Sequence, residues 1–334
     1  MTSNPPRSIA SPPYRPPWWC RPRHLQTIWA VFRRGRPPGL QRERLETPDG
    51  DFIDLDWLPG RPDAPVLLVV HGLEGTADSH YVGGLFRLAV ARGWRAALMY
   101  FRSCSGELNR LPRFYHSGET GDLDHVIRTL GARDPSLRLG AVGVSIGGNV
   151  LMKWLGEQGA DAPAALRGAV GISVPFDLMA CARSMDRLPQ RFLYTGSFMR
   201  SLRQKIDAKA RVYPGFVDVE TVRCARTFAA YDRVVTAPLH GFADEEDYWR
   251  RSSSKPYLAR VRRPTLLLSA VDDPFIPGWS LPDPHTLPSH VRAEFVPHGG
   301  HVGFIEGWPW RVSSWAERRA VEFLATVLDP SAVC

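Results

Sequence analysis

Five short, largely apolar runs constrain this chain most: Val66–Val70, Ala96–Phe101, Leu139–Val144, Ala169–Val174 and Thr265–Ala270. Each is bounded by turn residues. Runs that are apolar on both faces suit strands buried inside a parallel sheet. Helical patterns lie between them, near Tyr81–Arg92, Asp122–Leu130 and Gly148–Gln158. Alternating strand and helix predict the α/β class, with a mostly parallel, doubly wound sheet. Two further strands are expected upstream, Arg42–Thr47 and Phe52–Leu58, joined by the hairpin signal Pro48-Asp49-Gly50. Another strand, Ala293–Val296, and a last helix from about Trp310 to Leu328 complete the pattern.

The alternation stops between about residues 175 and 260. That stretch reads as helices, Asp177–Leu188, Arg191–Val212 and Val219–Tyr231, and it carries Met179, Met185, Phe192, Phe198, Met199 and Phe228. It is too long for a simple loop. We expect a helical cap over the carboxyl edge of the sheet, where α/β proteins place their sites.

Charge divides the chain differently. Of 334 residues, 42 are Lys or Arg and 34 are Asp or Glu, a net charge of +8. Residues 1–44 hold nine Arg and one Glu, which leaves 33 basic and 33 acidic residues in 45–334. The expected organisation is therefore a basic, Pro- and Trp-rich arm (1–44) on a neutral body (45–334). A neutral body argues against nucleic acid as a partner. The arm contains Leu25, Ile28, Trp29 and Phe32 at helical spacing, followed by Arg33, Arg34 and Arg36. Two readings stand: a helix docked on the body, or a helix lying on an anionic lipid surface. Only four of the basic residues are Lys, which we attribute to genome composition.

No run approaches the length of a membrane helix, and the Pro/Arg-rich start lacks the apolar core of a secretory signal. Cysteines stand at 20, 104, 181, 224 and 334, odd in number and widely spaced. This argues against a disulfide framework or a zinc site and for a reducing, cytoplasmic setting. No cofactor or metal is expected. The oligomeric state is not read from sequence.

The chemistry is carried by Gly143-Val-Ser145-Ile-Gly147. The five-residue pattern alone is weak. Here an apolar strand ends at Ser145 and a helix pattern begins at Gly147-Gly148-Asn149, the strand–turn–helix setting of a nucleophile elbow. A serine at its ordinary pKa is a poor nucleophile, so a base and an orienting acid are needed. In such folds they follow in the order acid, then His. After the strand Thr265–Ala270 come Asp272 and Asp273. We favour Asp273, four residues before Pro277, with Asp272 as the alternative. After Ala293–Val296 comes His298-Gly-Gly-His301. We favour His301, deeper in the Gly-rich turn, with His298 as the alternative.

An oxyanion needs backbone donors. One should be Ile146 N–H, next after the nucleophile. The other should come from His71-Gly-Leu73-Glu-Gly75, directly after the first central strand, and we assign Leu73 N–H. His71 precedes the elbow and is read as a brace for that loop. The polar segments Arg102–Asn109 and Tyr115–Thr120 follow the next strand. Loops at this edge can line the site; a structural role is preferred for them, with Ser117 or Thr120 capping the next helix. Cys104 lacks an elbow and is not taken as a nucleophile.

These pieces together resemble the YheT-like family of α/β-hydrolases. The matching residues are His24-Leu-Gln-Thr27 after Pro17-Trp18-Trp19, His71–Gly75, Arg102–Asn109, Tyr115–Thr120, Gly143–Asn149, Asp272-Asp273-Pro274-Phe275 and Gly300–Phe304. The resemblance implies an α/β-hydrolase fold and the triad Ser145, Asp273, His301. The family usually shows Asn-x-Arg-Gly-Cys-Ser-Gly, where this chain has Tyr100-Phe-Arg-Ser-Cys-Ser-Gly106. Members are esterases or lipases on acyl esters; some eukaryotic members are membrane-anchored, and some yeast members transfer acyl groups to alcohols. The expected function is a serine hydrolase of short- to medium-chain carboxylic esters, with a small acyl ester as its partner. Acyl transfer to an alcohol and a non-catalytic hydrolase-like binding protein are the alternatives.

Overall fold

The structure, a computed structural model, describes residues 14–32 and 35–329. The expectations for Pro-rich residues 1–13, for Arg33 and Arg34, and for Cys334 lie outside the described residues. Eight strands form one sheet: β1 (Gln41–Glu46), β2 (Phe52–Leu58), β3 (Val66–Val70), β4 (Arg95–Met99), β5 (Leu139–Val144), β6 (Leu166–Ile172), β7 (Thr265–Ala270) and β8 (Val291–Val296). Their spatial order is β1-β2-β4-β3-β5-β6-β7-β8. The strands from β4 to β8 in that order are parallel, and β2 alone runs against the rest, antiparallel to both its neighbours β1 and β4.

Every residue of β3, β5 and β7 is buried. At roughly 1.5–3 kcal/mol for each large aliphatic side chain removed from water, these runs drive the fold. The β1–β2 hairpin closes the other edge with charge. Arg42 faces Asp56 and Arg44 faces Asp54 across the ladder, and both pairs are hydrogen-bonded. Arg36 also reaches Asp56. Three of the arm's arginines are therefore engaged with the body.

The helices in chain order are α1 (Arg23–Val31), α2 (His80–Ala91), α3 (Gly121–Arg133), α4 (Ile146–Gln158), α5 (Leu178–Met185), α6 (Gly196–Val212), α7 (Val219–Cys224), α8 (Phe228–Tyr231), α9 (Ala237–His240), α10 (Glu245–Ser252) and α11 (Trp315–Leu328). Helices α5 to α10 all lie between β6 and β7. The stretch expected as one helix over Val219–Tyr231 is broken, because Thr227 starts a new helix by accepting from Ala230 N–H. The Asp186 carboxylate accepts from Phe228 and Ala229 N–H and fixes the break. Asp244 caps α10, with Glu245, Glu246 and Asp247 in its first turn. The last helix starts at Trp315 rather than near Trp310. A hairpin of β9 (Ile305–Trp308) and β10 (Arg311–Ser314) takes the earlier residues, turning at Pro309.

Helix α1 is also turned from its expected face. Gln26, Thr27 and Ala30 are the buried residues, while Ile28 and Phe32 are exposed. Polar bonds set this orientation. Gln26 Nε2 donates to Cys20 carbonyl, and Gln26 Oε1 accepts from Ile305 N–H at 2.8 Å. Gln26 is fully buried. Replacing it with Leu keeps the volume but orphans the buried Ile305 N–H. We predict that Gln26→Leu lowers stability by about 2 kcal/mol, measured by equilibrium denaturation.

Candidate active site

The order of strands decides where the site lies. From β3 the chain passes to β4 on one side and later to β5 on the other, so the carboxyl ends of β3 and β5 flank a crevice. Ser145 follows β5 there, with φ 54° and ψ −124°. A side chain at such angles costs about 1–3 kcal/mol. The turn is tight enough that a Cβ on Gly147 would stand 2.3 Å from Val70 carbonyl and 2.4 Å from His71 carbonyl. Only glycine fits.

The structure brings the three favoured residues together. His301 Nδ1 lies 2.8 Å from Asp273 Oδ2, and His301 Nε2 lies 3.1 Å from Ser145 Oγ. An ionised carboxylate only accepts, so Nδ1 carries the hydrogen and Nε2 is free to accept the serine proton. Asp273 is buried, and its other oxygen accepts from Phe275 N–H at 2.7 Å and Ile276 N–H. The alternatives pair elsewhere: His298 Nδ1 lies 3.1 Å from Asp272 Oδ2, with His298 exposed.

The His301 loop is built from both ends of the chain. Thr27 Oγ1 of α1 accepts from His301 N–H at 2.9 Å, and Ser173 Oγ accepts from Val302 N–H at 3.0 Å. Gly300, at φ 60°, lies so close to α1 that a Cβ would stand 2.5 Å from Arg23 carbonyl. The Phe275 ring stacks on the imidazole with centroids 4.0 Å apart. Tyr194 packs on Phe275, and its hydroxyl lies 2.9 Å from His24 Nδ1. Thr27 and Phe275 stood inside motifs read from the sequence, but nothing there showed that they grip the histidine.

The loop after β3 is held just as closely. Tyr81 hydroxyl accepts from Gly72 N–H at 2.8 Å, and Tyr115 hydroxyl accepts from Glu74 N–H at 3.0 Å. Leu73 N–H between them, and Ile146 N–H across the crevice, have no acceptor among the described residues. His71 braces the loop, as read: its Nδ1 lies 2.6 Å from Gly72 carbonyl and its Nε2 accepts from Phe101 N–H. The Glu74 carboxylate accepts from Tyr115 hydroxyl at 2.8 Å, from Lys205 Nζ at 2.7 Å and from Ser201 Oγ. Ser201 and Lys205 belong to α6, so Glu74 ties the loop to the α5–α10 segment. These two residues were not found from the sequence, because a serine and a lysine four apart on a helix carry no such signal.

Segment Arg102–Asn109 is structural. The buried Arg102 guanidinium pairs with Asp49, Asp51 and Asp122. Ser103 stands at φ 65°, where the family usually has Gly. Its hydroxyl donates to Asn109 Oδ1 at 2.6 Å and accepts from Asn109 N–H at 3.1 Å, which offsets the strain. The buried Lys209 ammonium of α6 donates to Asn109 carbonyl at 2.6 Å and Oδ1 at 2.8 Å. Burial pushes the Cys104 thiol up to about 11, consistent with no nucleophilic role. Segment Tyr115–Thr120 departs from its preferred structural reading and follows the alternative. No side chain caps α3 at Thr120, and Tyr115, His116 and Ser117 instead line the crevice.

A cavity of about 660 Å³ opens onto Ser145 and His301. Its walls are largely apolar, drawn from α1, the loop after β3 and the α5–α10 segment, including Leu178, Phe198, Leu202 and Phe228. Three histidines around it are held neutral by burial: His71 at about 4, and His116 and His240 at about 3. The His116 and His240 rings stand 4.6 Å apart, so a charge on either is opposed by the other.

A serine–histidine–aspartate chain, its histidine and aspartate buried, at the switch point of a doubly wound sheet defines the class of the protein as an α/β hydrolase. A family model described as the alpha/beta hydrolase fold matches residues 65–307, and the chain belongs to that family. Within it the chain groups with YheT of Escherichia coli (strain K12), named as a candidate esterase. The two are 40% identical over 312 residues, 92% of this chain and 91% of that one. Human phospholipase ABHD3 is 29% identical over 332 residues, 96% of this chain and 80% of that one. The Pyrococcus furiosus esterase Pf2001 shares the fold, with a TM-score of 0.56 at 15% identity over 86% of this chain and 93% of that one.

Two outcomes follow from this geometry. Lys205→Met leaves the Glu74 carboxylate without its cation and loosens the loop that carries Leu73. We predict a fall in kcat of about tenfold, with KM nearly unchanged, in steady-state ester kinetics; adding Glu74→Gln should restore part of it. The second concerns pH. A histidine with a lowered pKa binds protons more readily when unfolded, so its contribution is present above about 6.5 and is lost as pH falls. Asp232, raised to about 7 by burial, acts in the opposite sense and offsets about one histidine. Stability should fall by roughly 3 kcal/mol between about pH 6.5 and 5, measured as the shift in denaturant midpoint.

Proposed function

We propose that this chain is a serine hydrolase of carboxylic esters with Ser145 as nucleophile, His301 as general base and Asp273 as orienting acid. The observation that carries the reading is the continuous hydrogen-bonded path from Asp273 through His301 to Ser145, at 2.8 and 3.1 Å, ending in an apolar cavity. The names of its relatives, a candidate esterase and a phospholipase, support the same class of reaction.

Ser145 Oγ attacks the ester carbonyl carbon while His301 Nε2 takes its proton. The carbonyl oxygen becomes an oxyanion held by Leu73 and Ile146 N–H, the two backbone donors left without protein acceptors. The tetrahedral intermediate collapses, the carbon–oxygen bond to the alcohol breaks, and His301 returns the proton to the leaving alkoxide. Water then attacks the acyl-enzyme through the same base and releases the carboxylic acid. Asp273 stabilises the imidazolium without taking its proton.

Helices α5–α10 act as a cap whose apolar side chains receive the acyl group. We take that group to be of short to medium length, which the cavity of about 660 Å³ accommodates. A series of nitrophenyl esters of increasing chain length tests this, with Ser145→Ala as control. We expect a maximum at short to medium chains, a loss of kcat of about 10⁵-fold or more in Ser145→Ala, and about 10⁴-fold in Asp273→Asn. Wild-type rates in Ser145→Ala would refute the assignment. A fluorophosphonate probe should label Ser145. If it does not, the chain is a binding module. If added alcohol diverts the product from acid to ester, the reaction is acyl transfer.

A further inference from the structure

The mouth of the cavity is surrounded by large apolar side chains that face solvent. Ile28 and Phe32 of α1, Leu188, Phe192 and Leu193 before α6, and Trp279 are 40–88% exposed. They are not scattered. Ile28, Phe32 and Leu193 line the cavity itself. The His24–Tyr194 bond joins α1 to the π-helical turn Arg191–Thr195 that carries Phe192 and Leu193, and Trp279 shares a groove with Leu188. A soluble enzyme would ordinarily cover such a collar.

The charges of the same two segments have one sign. Residues 14–42 contain no Asp or Glu, and neither do residues 187–206. Arg21, Arg23, Arg187 and Arg191 are exposed among the apolar residues. None of these four forms an ion pair among the described residues. Protruding aromatic and aliphatic side chains, interleaved with unpaired arginines, have the composition of a surface that enters the headgroup region of an anionic membrane. The apolar parts would bury against acyl chains while the guanidinium groups stay at the phosphates. The turn of α1 supports this. Its polar Gln26 and Thr27 bind the body, and its apolar Ile28 and Phe32 are left outward.

We propose that this collar is a docking surface for an anionic lipid bilayer, which sets the cavity mouth against the membrane so that acyl esters enter without crossing water. The role in substrate delivery rests on the hydrolase reading; the binding itself does not. The test therefore uses Ser145→Ala protein, which cannot consume the lipid, floated with vesicles of phosphatidylcholine alone or mixed with phosphatidylglycerol. We expect partition onto the mixed vesicles at least about tenfold above that onto phosphatidylcholine, weakened by salt. Leu188→Ser/Phe192→Ser and Arg187→Gln/Arg191→Gln should each reduce it by about tenfold. In the otherwise wild-type chain both double variants should hydrolyse a soluble short-chain ester at the parental rate, which shows that they fold. Absence of flotation, equal binding to both vesicles, or binding undiminished in both variants would overturn the proposal. Loss of ester hydrolysis in the wild-type chain would instead count against the catalytic reading alone.

Discussion

The close approach of the elbow to the end of β3 is the constraint on which the rest depends. Gly147 passes within contact of the Val70 and His71 carbonyls, which no side chain would allow. That contact forces Ser145 to positive φ and sets its hydroxyl at the crevice. The strain is held by Ser145 N–H, which donates to Ile172 carbonyl at 2.9 Å, and by strands buried on both sides. A strained residue persists only where its surroundings over-determine it. The same contact places Ile146 N–H opposite the β3 loop, so nucleophile and candidate oxyanion donors are positioned by one packing event.

The histidine is held by a different logic. Its loop has little regular structure, with Val302 and Phe304 at positive φ and glycines on both sides. Rigidity comes from neighbours: Thr27 on its backbone, Ser173 on the next residue, Phe275 on its ring. The segment around α1 is therefore a working part of the site. This divides the basic excess of the arm into two groups. Arg36, Arg42 and Arg44 are paired with Asp54, Asp56 and Glu107 of the body. Arg21 and Arg23 remain unpaired at the cavity mouth. Docking on the body and the proposed facing of a lipid surface, which were competing readings of one amphipathic pattern, would use different faces of the same helix.

Much of this was readable in advance, for physical reasons that differ by region. β3, β5 and β7 follow the sequence pattern residue for residue, because burial on both faces leaves a largely apolar run, and β2 does so because Pro48-Asp49-Gly50 marks its start. Ser145, Asp273 and His301 could be named because each follows a strand and the chain order of such residues is constrained. Asp272 and His298 could not be excluded on that ground, since they differ from the favoured residues only in which way a loop turns. The rotation of α1 was misread because a buried glutamine defeats a hydrophobic pattern: two hydrogen bonds outweigh the preference of Ile28 and Phe32 for the interior. Pro309 stands just before the expected helix start at Trp310, and the β9–β10 hairpin it helps to turn was not read from the sequence.

The α5–α10 segment connects these observations. It is joined to the body by a buried ion pair, Lys205 to Glu74, and by hydrogen bonds from the buried Lys209 ammonium to Asn109. Such contacts are costly to desolvate and are lost if either partner moves. They therefore anchor one end of α6 firmly. At the other end, the π-helical turn Arg191–Thr195 leads into α6 with Phe192 and Leu193 outward, and is tied inward by Tyr194 and by the buried Thr195, whose hydroxyl donates to Met185 carbonyl at 2.7 Å. Local stability follows the density of buried contacts. The end of α6 that holds the Leu73 loop is fixed by Lys205, and the end that bears the apolar collar is fixed by Tyr194 and Thr195, so the collar and the groups around Ser145 are held by separate sets of contacts.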